Sequence, residues 1–193
     1  MIDPVSDALC TYEDIQLHLE LTSDQSHDDT VNDLINQYTK RFCNWCGVSS
    51  FKSASYTEYY DGNGQSILFL KNVPIASIET LADDDSYVWG SDTTVGLTDI
   101  RIIQSGKGIY LIDDIFTPAI ENVKVTYTAG YTTIPEDLKF AAIREVGRAF
   151  KHRKDWEVVS QTLTEMQATY IDPVLGDDTV EVLSFYRNTW IGQ

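Results

Sequence analysis

The sequence predicts an α+β protein: a small helical bundle with an inserted β-rich block and a C-terminal arm. Three observations carry this. A hydrophobic stripe of helical period runs through residues 28–46, short strand-like runs separated by turn residues fill 55–128, and an amphipathic helix opens at Pro135. Because the β-rich insertion interrupts a helical framework, residues 1–154 read as one α+β domain rather than two. Residues 155–193 then form the arm, helical or extended.

The first helix is expected over 11–21. Thr11 and Asp14 form a capping-box pattern, in which a Thr oxygen takes a free backbone N–H and an acid reaches back to the cap. Ile15, Leu17, Leu19 and Leu21 follow on imperfect helical spacing, so this helix is short. The second, over 28–46, has the clearest pattern of the chain. Val31, Leu34, Ile35, Tyr38, Phe42 and Trp45 recur at the spacing of one buried face, Asp28 and Asp29 suit the helix dipole, and Gly47 ends it.

Within the β block, Gly62-Asn63-Gly64 is a hairpin signal between runs at 57–60 and 66–70. Further strands are expected at 75–81, 87–89, 100–103, 108–112 and 122–128, with Asp83-Asp84-Asp85, Gly90-Ser91-Asp92 and Ser105-Gly106 as turns. The third helix, 135–153, starts with Pro135 in its first turn and Glu136 and Asp137 behind it. Its small residues Ala141, Ala142, Gly147 and Ala149 allow close approach of another element. Residues 158–166 are compatible with a helix, 172–178 read as a loop, and 182–190 are a last apolar segment.

Bulk composition narrows the function. With 193 residues, 42% of them apolar, the chain has enough material for a real core. No run reaches the ~20 apolar residues of a membrane span. The start, Met1-Ile2-Asp3-Pro4, has neither a basic nor an apolar stretch, so no signal peptide is expected. Thirty acidic against fourteen basic residues give a formal charge of −16, the wrong sign for a sequence-independent DNA binder. The cations do gather at Arg144, Arg148, Lys151, His152, Arg153 and Lys154, where they suit the C-terminal end of a helix.

Catalytic chemistry finds little support, and no cofactor is implied. Cys43-Asn44-Trp45-Cys46 has the C-x-x-C form, but a redox motif should begin a helix and this one ends it. A structural zinc site needs a second ligand pair, which the sequence lacks. Asp83-Asp84-Asp85, Asp113-Asp114 and Asp177-Asp178 do not have the alternating ligand spacing of a calcium loop. His18, His27 and His152 lie far apart, without a nucleophile signature. No residue is assigned as catalytic or metal-binding.

Aromatic residues are the stronger candidates, as partner contacts. Tyr59 and Tyr60 flank the Gly-Asn-Gly turn together with Tyr56, and Phe185, Tyr186 and Trp190 crowd the C-terminal arm. Large apolar residues near a terminus need something to hold them, either the domain itself or a partner.

Tyr60-Asp61-Gly62, Leu70 through Val73-Pro74, and Tyr127-Thr128-Ala129-Gly130-Tyr131 followed by Ile134-Pro135-Glu136-Asp137-Leu138 stand in a characteristic order and spacing. In these blocks the chain resembles the head–tail connector (adaptor, or head-completion) proteins of tailed bacteriophages, over roughly residues 10–155. The resemblance implies a non-enzymatic virion protein, assembled in the host cytoplasm and located at the head–tail junction. It further implies a ring of about twelve copies, built on heterologous contacts, under the portal protein. Such a ring extends the DNA channel, completes the head and offers a face to a neck or tail-completion protein. DNA would pass through without specific binding, and a strongly acidic ring suits that, since it repels phosphate. The segment after Lys154 departs most from the family pattern; Phe185, Tyr186 and Trp190 in it are the expected anchors for the portal protein.

Two readings from other classes stay open on the residues alone. One is a β-rich binding module with acidic metal-binding loops, and the other is a thiol oxidoreductase using Cys43 and Cys46.

Overall fold

The computed structural model describes residues 3–21, 28–103, 106–153 and 175–188, and the backbone of 161–163 and 166–168. The chain divides into two compact units. Residues Met1–Trp45 and Ile134–Tyr186 form one; Cys46–Thr133 and Arg187–Gln193 form the other.

The helical unit holds α1 (Tyr12–Leu19), α2 (Asp28–Cys46), α3 (Glu136–His152), the short antiparallel pair β7 (Gln161–Leu163) and β8 (Met166–Ala168), and α4 (Asp177–Tyr186). The capping box at α1 is complete: Asp14 N–H donates to the Thr11 hydroxyl, and Thr11 N–H to the Asp14 carboxylate. Its imperfect stripe has the expected result, since Ile15 is buried while Leu17 lies in solvent. Along α2, Val31, Ile35, Tyr38 and Phe42 are buried as the spacing requires. Leu138, Ala141, Ala142, Val146 and Phe150 do the same on α3, and Leu183 on α4. The small-residue face of α3 meets α1, where a Cβ on Gly147 would sit 3.3 Å from both His18 and Leu19.

One expectation for this unit is corrected. Residues 161–163 and 166–168 are strands, not part of a helix spanning 158–166. Thr162 and Thr164 are β-branched, which lowers helix propensity there. At the other end, α4 opens at Asp177, inside the segment read as a loop, with Asp177 and Asp178 in its first turn.

The β unit contains two antiparallel three-stranded sheets. The first is ordered β1 (Ala54–Gly62), β6 (Ala119–Ala129), β3 (Ile75–Asp83); the second β2 (Ile67–Phe69), β5 (Gly108–Leu111), β4 (Ile100–Ile103). Period-2 alternation in the long central strand β6 buries Val123, Val125, Tyr127 and Ala129. These pack with Leu68, Leu70, Leu81, Ile109, Leu111 and Phe116 in one core.

The expected hairpin at Gly62-Asn63-Gly64 is absent. β1 pairs with β6 and β2 with β5, so the turn carries the chain from one sheet to the other. Its polar groups show why. Gly62 N–H donates to the Asn122 side chain at 2.8 Å and Gly64 N–H to Phe116 O at 3.1 Å. Asn63 accepts from Gln65 N–H and donates to Ile67 O, a local Asx turn. Thr117 O comes so near that a Cβ on Gly62 would lie 1.8 Å from it. The expected strand at 87–89 is also absent, replaced by a tight loop described below.

Candidate functional site

Tyr59 and Tyr60 are neighbours in β1, so their side chains point to opposite faces of the sheet. The Tyr60 hydroxyl turns inward to a polar lock centred on Glu58. Glu58 Oε2 accepts from the hydroxyls of Tyr60 at 2.5 Å and Tyr127 at 2.6 Å, and Oε1 accepts from Asn72 Nδ2 at 3.1 Å. In turn the Tyr60 oxygen accepts from Lys71 N–H and the Tyr127 oxygen from Asn72 N–H. The segment joining β2 to β3 is thereby tied to the first sheet. Burial, reinforced by the neighbouring hydroxyl and by Glu58, pushes the Tyr60 phenol well above its ordinary pKa; burial and the Glu58 hydrogen bond do the same for Tyr127. Both remain protonated donors.

Tyr59 faces outward, 49% exposed, and belongs to an aromatic tip. Its ring lies 5.5 Å from Trp89, which is 6.2 Å from Tyr87 in an edge-on arrangement, and Lys124 sits over Tyr59 at 5.8 Å. Asp84 builds the loop that carries Tyr87 and Trp89. Its Oδ1 accepts from Ser86 N–H and the Ser86 hydroxyl, and its Oδ2 from the amides of Val88 and Trp89. Hydrogen bonding by the Ser86 hydroxyl outweighs burial and, with these amides, holds the Asp84 carboxyl below its usual range. Tyr87 and Trp89 adopt left-handed backbone angles, φ +60° and +57°. Tyr87 is further pinned by its hydroxyl, which donates to Ile120 O at 2.8 Å. The result is a firmly held display: Tyr87 is 52% exposed, Val88 77% and Ile120 74%. The sequence reading named Tyr59 but did not place Tyr87 and Trp89 beside it, because the Tyr-Val-Trp run reads as a strand.

At the C-terminal end, α4 is held to α3 by a buried carboxylate. Glu145 Oε1 accepts from Gly176 N–H at 3.0 Å and the Thr179 hydroxyl at 2.7 Å, while Oε2 pairs with Arg148. Arg144 pairs with Asp178 beside it. The Tyr186 hydroxyl donates to Asp137 at 2.6 Å, so this aromatic is docked within its own unit. Phe185 is 74% exposed on the outer face of α4. Trp190 lies outside the described residues. Asn188, assigned to the β unit, is buried and donates to the carbonyls of Leu70 and Lys71, with its own N–H on Cys46 O. Of the sequence-selected aromatics, Tyr59 and Tyr60 lie on opposite faces of the β unit's first sheet, and Phe185 and Tyr186 lie on α4 of the helical unit.

Thiol and metal chemistry gain nothing from the geometry. Cys10, Cys43 and Cys46 are all buried, and burial, then Asp14, pushes the Cys10 thiol up to about 12. Among the described residues no group of three His, Cys, Asp or Glu side chains could hold a metal ion. The acidic loop is instead engaged by its own surroundings: Asp83 accepts from Thr117 N–H and Asn122, and Asp84 from its loop. No helix among the described residues is long and apolar enough to cross a membrane.

The chain is an α+β protein of two compact units, with exposed aromatics on both: Tyr59 and Tyr87 on the β unit, Phe140 and Phe185 on the helical unit. The head completion protein family model matches residues 8–189, and the chain belongs to that family of structural head–tail virion proteins. The fold is similar to chains in three solved assemblies of a gene transfer agent. In the neck of the empty particle, computed with C6 symmetry, the TM-score is 0.59 at 14% identity, covering 93% of this chain and 89% of that one. In the virion of the native particle it is 0.58 at 14% identity, with 93% and 89% covered. In the neck of the native particle, computed with C12 symmetry, it is 0.56 at 14% identity, with 93% and 88% covered. No curated protein matches the chain.

Proposed function

We propose that the chain is a ring-forming subunit of the head–tail junction, which docks on the portal protein, extends the DNA channel, completes the head and receives a neck or tail-completion protein. The observation that carries this reading is the family match over residues 8–189, nearly the whole chain. Similarity in fold to chains in necks of cyclic symmetry supports the ring. Assembly takes place in the host cytoplasm, and the finished ring is part of the virion.

Charge fits the same reading. In about twelve copies a formal charge of −16 sums to about 190 negative charges. Salt confines their field to about 8–10 Å, which still covers the rim of a channel through which DNA slides. The acids are unevenly distributed: residues 1–45 hold nine acidic side chains and two basic ones.

Phe185 is the anchor for the portal protein in this reading, since it stands exposed on α4 while Leu183 and Tyr186 secure the helix beneath it. Trp190 is assigned to the same contact. Tyr59 is assigned to a contact between subunits, with Tyr60 holding the strand beneath it.

Co-sedimentation with the portal protein, followed by electron microscopy, tests the reading. A ring stacked on the narrow end of the portal is expected. A folded chain that stays monomeric and does not bind the portal protein overturns it. Phe185→Asp, at a surface position, is expected to weaken portal binding while leaving the melting temperature within about 2 °C of wild type.

A further inference from the structure

The aromatic tip of the β unit is built to be held still and left uncovered. Left-handed backbone angles at two non-glycine aromatics are strained, and Asp84 together with the Tyr87–Ile120 hydrogen bond sustains them. This loop follows β3 (Ile75–Asp83). Here it presents Tyr87, Val88 and Trp89 beside Tyr59 and Ile120 as one apolar group, of the kind that marks an interaction surface.

The surroundings of the tip define its partner. Asp61, Asp85 and Glu121 are exposed around it, with Asp61 accepting from Glu121 N–H. The cation in the group, Lys124, already lies over Tyr59. The complement must therefore offer an apolar or aromatic surface interspersed with positive charge.

This chain carries such a surface itself. Phe140, Arg144, Arg148 and Lys151 recur at spacings of four, four and three on α3 and so share one helix face. Phe140, Arg148 and Lys151 are exposed, and Arg144 lies over the Phe140 ring at 6.0 Å. Arg144 and Arg148 also pair with Asp178 and Glu145, but each keeps about two-fifths of its side chain in solvent.

We propose that the aromatic tip of one copy docks on the basic–aromatic face of α3 in the next copy. Resting on the ring reading above, this names the two surfaces the ring would use. They are different surfaces of one chain, so the contact is heterologous and propagates around a ring instead of stopping at a dimer.

The test reverses charge on each surface of the full-length chain. Asp85→Lys with Glu121→Lys reverses the tip, and Lys151→Glu with His152→Glu reverses the α3 face. All four positions are exposed, and circular dichroism verifies folding. Native mass spectrometry, with and without the portal protein, reads the ring fraction. Each reversed variant alone is expected to lose rings by about tenfold or more, because like charges then face each other. Their equimolar mixture is expected to recover them. In an alternating ring each reversed tip meets a reversed face and each native tip a native face. Rings at wild-type level in either variant alone, or no recovery in the mixture, overturn the pairing while leaving the ring itself standing. A wild-type chain that never forms rings overturns the ring reading and this inference with it.

Discussion

At the scale of single residues, two buried carboxylates, Glu145 and Asp84, each fix a segment through several hydrogen bonds. Glu145 gives the N-terminus of α4 its seat on α3. Replacing it by Ala strands the Gly176 amide and the Thr179 hydroxyl, at about 1–3 kcal/mol for each buried group. Glu145→Ala is thus expected to lower unfolding free energy by about 3 kcal/mol in a urea titration, and Glu145→Gln, which keeps an acceptor, by clearly less. Asp84 plays the corresponding part in the tip. Its carboxyl is held below the ordinary range in the folded chain, so its contribution is complete above the unfolded pKa of about 3.9 and fades as pH falls through the lower folded value. Trp89 fluorescence, followed in a chain whose other tryptophans are replaced by Phe, is expected to hold steady from pH 7 to about 5 and to shift below about 4. Asp84→Asn is expected to show the shifted signal at every pH.

At the scale of elements, the helices were the legible part of the chain. α2 runs over the very residues its stripe marks, because one apolar face repeated through nineteen residues leaves little else for the segment to do. The capping box located α1, and the acids after Pro135 located α3. What escaped was partnership among strands. The Gly-Asn-Gly signal is real turn chemistry, but the destination of the chain after it is set by Asn122 and Thr117, some sixty residues away in sequence. The same non-locality hid the tip: whether Tyr-Val-Trp lies in a strand depends on Asp84 competing for its amides. Of the candidate site, the sequence marked Tyr59 and Phe185 as aromatics needing an environment, yet alternation along β1 alone could not tell which neighbour faces solvent. Two experiments belong at this scale. Gly62→Val is expected to destabilise by more than about 2 kcal/mol in thermal melts, since its Cβ would collide with Thr117 O. Tyr60→Phe and Tyr127→Phe are each expected to cost about 1–2 kcal/mol, and the double variant less than their sum, because both hydroxyls serve the same Glu58 oxygen.

At the scale of the whole molecule, function follows from which surfaces are left unfinished. Of the exposed apolar side chains, Tyr59, Tyr87, Val88 and Ile120 belong to the tip, Phe140 to α3 and Phe185 to α4, while Leu17, Leu97, Ile102 and Ile115 lie elsewhere. Ring assembly through an acidic tip and a basic face is expected to weaken as salt rises, with the ring fraction falling between about 0.05 and 0.5 M NaCl while circular dichroism stays constant. A ring fraction independent of salt would point to contacts of purely apolar character.

The division of the chain into interleaved segments bears on how it is made. The helical unit needs residues on both sides of the β unit, and the β unit includes the residues after α4, so neither unit is contiguous in sequence. During translation most of the β unit has emerged while half of the helical unit is still to be synthesised. The α3 face does not exist until residue 152 has left the ribosome, and Asn188 closes on Leu70 and Lys71 later still. A nascent chain therefore carries a nearly finished tip but no face to receive one. Under the proposed pairing, polysome-bound copies crowded along one messenger cannot dock on one another before α3 has emerged.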